Sequence, residues 1–324
     1  MRLPKFDYVE PKTLFEASSI LRDYEGKAQV LAGGTDLLPA MKNRVQNPCT
    51  LVNIKTIPDL NSITVNNEEC NVGALVSLHE IAKSSLLSEH AQALAEAAGR
   101  VASFEIRQAA TLGGNLALDN RCWNYNRSSW WRRAKPPCYK VGGNACYVAK
   151  KGKKCFATAS ADTPPALMAL GAKVVINGQR QLAVEDLFSH EGERPNLLKP
   201  GDLISGIIIP VRRSGKSAFV KIANRKVLDF PLVNCAVFVE MEDGVCKDIS
   251  IAVSGVSMGP VKVNGVKTMI GQKLDEAALN KLTEVVIKEV KLISNSTCLD
   301  VNASYRRQLI QKAVFECLTK ACQI

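Results

Sequence analysis

Four cysteines between residues 122 and 155 are the residues whose type and spacing most directly indicate chemistry. Cys122, Cys138, Cys146 and Cys155 are separated by 15, 7 and 8 residues, and no other cysteine lies between positions 71 and 234. Their segment is basic and punctuated by glycine, which disfavours a set of unrelated core cysteines. Structural zinc sites usually carry cysteine pairs about two to four residues apart, and no such pair occurs here. A 4Fe-4S cluster accepts four cysteines at irregular spacing, so the spacing favours a cluster over zinc.

The same segment holds most of the net charge of +11. Between Arg121 and Cys155 there are ten Lys or Arg residues and no Asp or Glu, while the rest of the chain is close to neutral. Cationic side chains help thiols to stay deprotonated as metal ligands. Basic residues interleaved with aromatics also fit single-stranded nucleic acid. We favour a different interpretation, in which aromatic rings pack over a cluster and the exposed basic face receives an acidic electron carrier. The rings are those of Trp123, Tyr125, Trp130, Trp131 and Tyr139.

Two glycine pairs form the other chemical feature. They lie in Leu31-Ala32-Gly33-Gly34-Thr35-Asp36 and in Ala110-Thr111-Leu112-Gly113-Gly114-Asn115. Neither is a Rossmann fingerprint or a Walker loop. A glycine pair after a strand still lets successive backbone N–H groups face one anion, and a pyrophosphate would fit. From the residues alone, two tight turns with an Asp36 helix cap are the preferred interpretation.

Composition sets the frame for these sites. A chain of 324 residues with 46% hydrophobic residues predicts two domains, or one large domain with an appendage. No apolar run reaches the roughly 20 residues that span a bilayer, and the first residues do not resemble a signal peptide. We therefore expect a cytoplasmic protein without membrane contact, in which most of the eleven cysteines are reduced.

Hydrophobic periodicity predicts helices and strands on both sides of the basic segment. Predicted helices lie at about 14–21, 78–98, 164–172, 274–293 and 303–321. Predicted strands lie at about 29–32, 50–54, 63–65, 70–75, 173–176, 203–211, 219–223, 233–241, 245–253 and 259–263. Asn177-Gly178 predicts a tight hairpin turn. The polar stretch at 212–216 is a candidate domain boundary before a separate α+β unit.

Four blocks occur in order along the chain. They are Ala32-Gly33-Gly34-Thr35-Asp36-Leu37-Leu38, Val72-Gly73-Ala74-Leu75-Val76, Thr111-Leu112-Gly113-Gly114-Asn115-Leu116-Ala117 and Ser160-Ala161-Asp162-Thr163-Pro164-Pro165-Ala166-Leu167. In this series the chain resembles the flavin subunit of the xanthine dehydrogenase and carbon monoxide dehydrogenase family. The resemblance covers essentially the whole chain.

The resemblance implies an α+β fold with two domains. A two-part FAD-binding domain of the vanillyl-alcohol-oxidase (PCMH) type would occupy 1–213, with subdomains 1–55 and 56–213 and a cysteine-rich insert at about 119–158. A C-terminal α+β domain of the carbon monoxide dehydrogenase flavoprotein type would occupy 214–324.

The resemblance also assigns cofactor contacts. It implies that the FAD diphosphate is wrapped by Val30, Leu31, Ala32, Gly33, Gly34, Thr35, Asp36 and Leu37, and by Thr111, Leu112, Gly113, Gly114 and Asn115. Asp162 matches the acidic residue of the Ser-x-Asp-x-x-Pro block that contacts FAD, and Lys221 matches a lysine at the flavin. Val101 and Ile204 match apolar contact positions. On residue chemistry alone, Asp162 is a helix cap and Lys221 a solvated strand lysine.

The implied activity is electron transfer, and no catalytic side chain is expected because bound cofactors carry the redox chemistry. FAD would exchange electrons with a small 2Fe-2S subunit, while a large molybdenum-cofactor subunit handles the organic substrate. The cysteine insert resembles that of 4-hydroxybenzoyl-CoA reductases within the family, which implies reductive dehydroxylation to benzoyl-CoA with electrons from a low-potential ferredoxin. One alternative is a related molybdenum aldehyde or aromatic hydroxylase that passes electrons outward. An alternative of another class is a basic, zinc-containing nucleic-acid-binding protein.

Overall fold

The structure is a computed structural model that describes residues 2–293 and 302–322. Within these residues the chain forms a three-stranded, a five-stranded and a four-stranded sheet, with helices against each. This mixture of helix and sheet confirms the predicted α+β class. No helix in the described part of the chain is long and apolar enough to cross a membrane.

The strands, in chain order, are β1 Asp7–Val9, β2 Ala28–Leu31, β3 Thr50–Asn53, β4 Ile63–Val65, β5 Glu69–Gly73, β6 Lys173–Ile176, β7 Arg180–Ala183, β8 Ile204–Pro210, β9 Gly215–Ile222, β10 Val233–Glu242, β11 Val245–Ser254 and β12 Val261–Val263. The helices are α1 Leu14–Asp23, α2 Leu37–Lys42, α3 Leu78–Lys83, α4 Ser85–His90, α5 Gln92–Gly99, α6 Phe104–Ala109, α7 Leu112–Leu116, α8 Ser129–Arg132, α9 Thr163–Ala169, α10 Glu276–Glu289 and α11 Ala303–Cys322. Short 3-10 helices lie at Tyr139–Val141, Val184–Leu187 and Gly265–Met269.

The first unit is a small parallel sheet in the order β1-β3-β2, covered by α1. Helix α1 begins where the Thr13 side chain accepts a hydrogen bond from the Glu16 N–H. Its buried face, Ala17 and Leu21, packs in one cluster with β2 and β3 residues. This packing fixes the C-terminal end of β2, from which the first glycine pair continues.

The second unit is an antiparallel sheet in the order β4-β5-β8-β6-β7. Strands β6 and β7 are joined at Asn177-Gly178, where both residues have positive φ, 52° and 74°. This geometry confirms the predicted tight hairpin turn, since the turn that suits twisted strands needs positive φ at both central positions. The predicted helix 78–98 is instead three helices, because Ser84 ends α3 and its side chain caps α4 at Leu87.

The third unit is the antiparallel sheet β12-β11-β10-β9, which is covered on both faces. Alternate residues of β10 enter two different cores. Ala236 and Phe238 belong to the core of the second unit, with α5 and α9. Cys235 and Val237 belong to the core formed with α10 and α11. The nearly continuous apolar sequence of β10 follows from burial of both strand faces.

The cysteine-rich insert leaves and rejoins the second unit through one pair of hydrogen bonds. The Arg121 N–H donates to the Thr158 carbonyl at 2.9 Å, and the Thr158 N–H donates to the Arg121 carbonyl at 3.0 Å. The intervening chain contains α8 and one 3-10 turn, and it has a small core of its own around Cys122, Tyr125 and Cys155. The closure places the first and last cysteines beside each other.

A buried arginine joins the third unit to the segment before α11. Arg306 is 1% exposed and donates to the carbonyls of Ile293, Gly255 and Leu232 at 2.8, 2.6 and 3.4 Å, respectively.

We expect Arg306→Ala to lower the free energy of unfolding by about 3 kcal/mol, because buried carbonyls lose charged donors. Urea denaturation measures this loss. Exposed Arg307 is the matched control, and Arg307→Ala should change stability by less than about 0.5 kcal/mol; equal effects of both variants would contradict the assignment.

Candidate functional site

A cavity of about 710 Å³ lies where the three units meet. This volume is within the range of about 300–1,000 Å³ typical of small-molecule sites. The cavity wall contains most of the predicted cofactor residues: Val30, Ala32, Gly33, Gly34, Thr35, Asp36, Leu37, Val101, Thr111, Gly113, Gly114, Asn115, Asp162 and Ile204. Leu31, Leu112 and Lys221 are not among the residues of this wall. Leu112 is fully buried in the adjoining core.

The first glycine pair lets two backbone segments touch. A Cβ on Gly33 would lie 2.0 Å from the Ala109 carbonyl oxygen, so this contact excludes every side chain. Gly34 has φ +70°, a conformation that favours glycine. Within the described residues, no protein group accepts a hydrogen bond from the N–H groups of Gly33, Gly34, Thr35 and Asp36. These donors in the cavity wall suit an anionic ligand.

The second glycine pair forms part of helix α7, where the sequence suggested either a phosphate loop or a tight turn. Its N–H groups already have partners: Leu112 donates to the Val76 carbonyl, Gly113 to the Ala74 carbonyl and Gly114 to the Thr111 hydroxyl. A Cβ on Gly113 would lie 2.9 Å from the Ala74 Cβ. The two glycine pairs therefore differ. The first offers backbone N–H groups that a ligand could use, whereas the second allows α7 to pack closely against Ala74.

Asp36 pairs with a cation instead of capping α2. Its side chain makes no capping hydrogen bond, and its Oδ1 accepts from Arg121 Nη1 at 2.7 Å. The Arg121 guanidinium also lies 4.5 Å from the centroid of the Phe230 ring. Burial raises the pKa of the Asp36 carboxyl, while Arg121 acts in the opposite direction. The interpretation of Asp36 as a helix cap is thus wrong.

Asp162 and Lys221 form a buried ion pair between the second and third units. Lys221 Nζ donates to Asp162 Oδ2 at 2.7 Å, and the two side chains are 7% and 5% exposed. Asn234, which faces Lys221 across β9 and β10, donates to Asp162 Oδ1 at 2.8 Å. Burial raises the pKa of Asp162, and Lys221 lowers it. The residue-based expectations of a capping Asp162 and a solvated Lys221 are both wrong.

Several residues of the cavity wall were not predicted from the sequence. Ser160 is 3% exposed, and its Oγ has no hydrogen-bond partner in the described structure, which marks it as a group that a bound ligand would satisfy. Arg121 and Phe230 also line the cavity. A turn at 199–202 was detectable from its Pro-Gly dipeptide. No local pattern indicated Arg121, because its role depends on a contact with Asp36 85 residues away.

All four cysteines of the insert line one second, smaller cavity. The Arg121–Thr158 closure brings together Cys122 and Cys155, and the hydrogen bond from Tyr139 to the Ala145 carbonyl sets Cys138 beside Cys146. Backbone N–H groups approach the sulfurs: Ala149 donates to Cys146 Sγ at 3.5 Å and Ala157 to Cys155 Sγ at 3.4 Å. The backbone thus forms the cysteine pairs that the spacing along the chain does not show.

The cavity contains four thiols that could serve as thiolate ligands, although their side chains are not arranged as a metal site in this structure. Among the described residues, no three Cys, His, Asp or Glu side chains stand in metal-binding geometry. Burial raises the pKa of the Cys155 thiol to about 12, and the Lys140 ammonium opposes this rise. Burial also raises the pKa of Cys122. The donor set of four thiols with N–H and ammonium groups fits an iron–sulfur cluster, whose uptake would displace these thiol protons.

The tryptophans do not cover this cavity, which corrects the expected ring packing. Trp130 is 78% exposed and Trp123 is 44% exposed. The Arg127 guanidinium stacks 3.5 Å from the Trp123 ring centroid. The rings that line the cavity are those of Tyr125, Tyr139, Tyr147 and Phe156. The insert therefore presents a cationic, aromatic outer surface over a site lined by three tyrosines and one phenylalanine.

Comparison with known families divides the chain into two matched parts. Residues 4–212 match the FAD binding domain in molybdopterin dehydrogenase, and residues 218–321 match the CO dehydrogenase flavoprotein C-terminal domain. The large cavity is lined mainly by residues of the first match, with a short segment, Leu228–Phe230, from the second.

Individual relatives extend over most of the chain. The carbon monoxide dehydrogenase medium chain of Afipia carboxidovorans is 28% identical over 280 residues, which cover 85% of this chain and 83% of the relative. The nicotinate dehydrogenase FAD-subunit of Eubacterium barkeri is 29% identical over 273 residues, covering 82% and 79%. The carbon monoxide dehydrogenase structure from Hydrogenophaga pseudoflava shares the fold, with a TM-score of 0.81 at 23% identity and coverage of 100% and 99%.

The buried ion pair yields a stability test. We expect Lys221→Met to lower the free energy of unfolding by about 3–5 kcal/mol, because the Asp162 carboxylate remains buried without its cation. The double variant Lys221→Met/Asp162→Asn should recover part of this loss, because it removes both charges. A double-mutant cycle from urea denaturation measures the coupling. Strictly additive effects would show that the two charges do not interact.

Proposed function

This chain belongs to the family of FAD-binding subunits of molybdenum-containing dehydrogenases, and on that premise we propose that it also binds a 4Fe-4S cluster. FAD would occupy the large cavity and the cluster the four-cysteine cavity. The observation that carries this proposal is that residues adjacent in the sequence line the two cavities. Asp119 and Arg121 line the large cavity, and Cys122, the next residue, lines the small one.

Three features of the large cavity support its occupation by FAD. The free N–H donors at residues 33–36 suit the diphosphate. The unsatisfied Ser160 Oγ offers a further polar contact. The Asp162 carboxylate is fixed in the wall by Lys221 and Asn234, so its orientation is set before a ligand binds.

Three features of the small cavity support a cluster. It gathers four cysteines from a span of 34 residues. It supplies N–H donors to sulfur, which stabilise the charge of a thiolate-bound cluster. Its remaining wall includes the ammonium of Lys140. When bound, FAD would exchange electrons in pairs and a 4Fe-4S cluster would pass them singly, and this chain would supply the binding, orientation and exclusion of water.

We propose that the chain works in a complex with a small 2Fe-2S subunit and a large molybdenum-cofactor subunit, in the cytoplasm. Relatives named medium chain support the complex. An external carrier, which we propose to be an acidic ferredoxin, would approach the exposed basic surface of the insert. Lys150, Lys151, Lys153 and Lys154 lie there and are exposed. A cationic surface raises the association rate of an acidic partner at low salt.

For the organic substrate, we propose reductive dehydroxylation of 4-hydroxybenzoyl-CoA, on the resemblance of the cysteine insert. A second candidate is the oxidation of an aldehyde or an aromatic compound, and the name of the nicotinate dehydrogenase relative favours the aromatic case. The purified complex separates these activities. Benzoyl-CoA formed from 4-hydroxybenzoyl-CoA with a reduced low-potential dye supports the first. Dye reduction by nicotinate or an aldehyde, without dehydroxylation, supports the second.

Removal of one proposed ligand tests the cluster independently of the substrate. We expect Cys138→Ala to abolish the cluster's iron and its broad visible absorbance while bound FAD is retained, because the large cavity does not include Cys138. Iron, zinc and flavin analysis of the purified protein measures these quantities.

The control is Cys49→Ala, which removes an exposed free thiol outside the insert and should leave iron and FAD unchanged. Zinc in place of iron in the wild-type protein would refute the cluster, and full iron retention in Cys138→Ala would refute the ligand assignment.

A further inference from the structure

An ion pair lies between the two cavities. Asp119 lines the large cavity and Lys140 lines the four-cysteine cavity. Lys140 Nζ donates to Asp119 Oδ1 at 2.8 Å. The two charges thus stand on opposite sides of the boundary between the cavities.

Lys140 is held more firmly than a surface lysine. Its side chain is 3% exposed, and its Nζ also donates to the carbonyls of Gly192 and Glu193 at 2.8 and 3.3 Å. The Tyr125 ring centroid lies 5.2 Å from the ammonium. An ammonium with these partners cannot turn toward solvent, so its charge stays at one position in the cavity wall.

The partners of Lys140 also shape the cysteine site. Glu193 Oε1 accepts a hydrogen bond from the Cys155 N–H at 2.7 Å. A Cβ on Gly192 would lie 2.8 Å from Cys155 Sγ, so this loop packs directly on a proposed ligand. Lys140 therefore anchors a chain segment outside the insert over Cys155.

Burial decides which insert charges act on the cavity. Lys150, Lys151, Lys153 and Lys154 are exposed, and solvent ions screen such charges over about 8 Å at physiological salt. A buried charge is screened far less. Reduction of a thiolate-bound cluster adds negative charge, which a nearby cation stabilises and a nearby carboxylate opposes.

We propose that the Lys140–Asp119 ion pair sets the midpoint potential of the redox group in the four-cysteine cavity, with Lys140 raising it and Asp119 lowering it. Both are positioning residues that do not ligate the group. The inference rests on the proposed function, because it requires a cluster at the four cysteines. The ion pair would thereby keep the midpoint potential of the cluster close to that of the flavin.

The test is a redox titration of the purified complex, monitored by electron paramagnetic resonance. The cluster signal is defined as the signal that Cys138→Ala removes. Lys140→Met should make reduction at least tenfold less favourable, a negative shift of about 59 mV or more for one electron. Asp119→Asn should shift the potential in the positive direction. Lys151→Met, the same substitution at an exposed position, should leave it within error of the wild type.

The outcomes separate the two proposals. If Cys138→Ala removes no signal, the proposed cluster and this inference both fail. If it removes the signal but Lys140→Met and Asp119→Asn shift the potential in the same direction or not at all, only the ion-pair inference is overturned. If Lys140→Met lowers the iron content instead, Lys140→Arg replaces it in the test, because this variant keeps the cation. A Lys140→Arg potential equal to that of the wild type, at full iron content, supports the inference. A shifted Lys140→Arg potential despite full iron contradicts it.

Discussion

The buried contact between Asp162 and Lys221 organises the site, because it joins two units that come from distant parts of the chain. A buried ion pair must offset a large desolvation cost, and it does so only when its remaining hydrogen-bonding groups are satisfied. Lys221 also donates to the Arg100 carbonyl, and Asn234 donates to Asp162. The pair can form only when β9 and β10 present Lys221 and Asn234 on the face that packs against α9. The geometry of the cavity wall thus depends on how the third unit docks.

The alternation along β10 explains how this docking is encoded. Ala236 and Phe238 enter the core of the second unit, whereas the intervening residues enter the core beneath α10 and α11. A shift of one residue would exchange the two sets and move Asn234 away from Asp162. Hydrophobic packing and the polar site therefore specify the same register.

Local patterns were sufficient for much of the fold and for part of the site. Alternation and helical periodicity predicted most long elements, the Asn177-Gly178 turn and the glycine pair at 33–34, because these signals lie within a few residues of each other. The short elements β1, β7, α6 and α8 carry too few residues for a period to be visible. The partners of Asp36, Asp162 and Lys221 lie 59 to 85 residues away, so their side chains were misassigned from local chemistry. Family resemblance supplied these positions because it carries information about contacts that local spacing lacks.

The charges around the two cavities follow one arrangement. The five carboxylates that line the large cavity are each paired with a cation: Asp36 with Arg121, Asp119 with Lys140, Asp162 with Lys221, Asp202 with Arg180 and Asp229 with Arg225. Each pair reduces the negative potential that an anionic cofactor would otherwise meet. Two of these five cations, Arg121 and Lys140, belong to the insert. An insert that brings its own cysteines therefore also supplies cations beside the large cavity, and this arrangement couples the electrostatics of the two cavities through short, partly buried contacts.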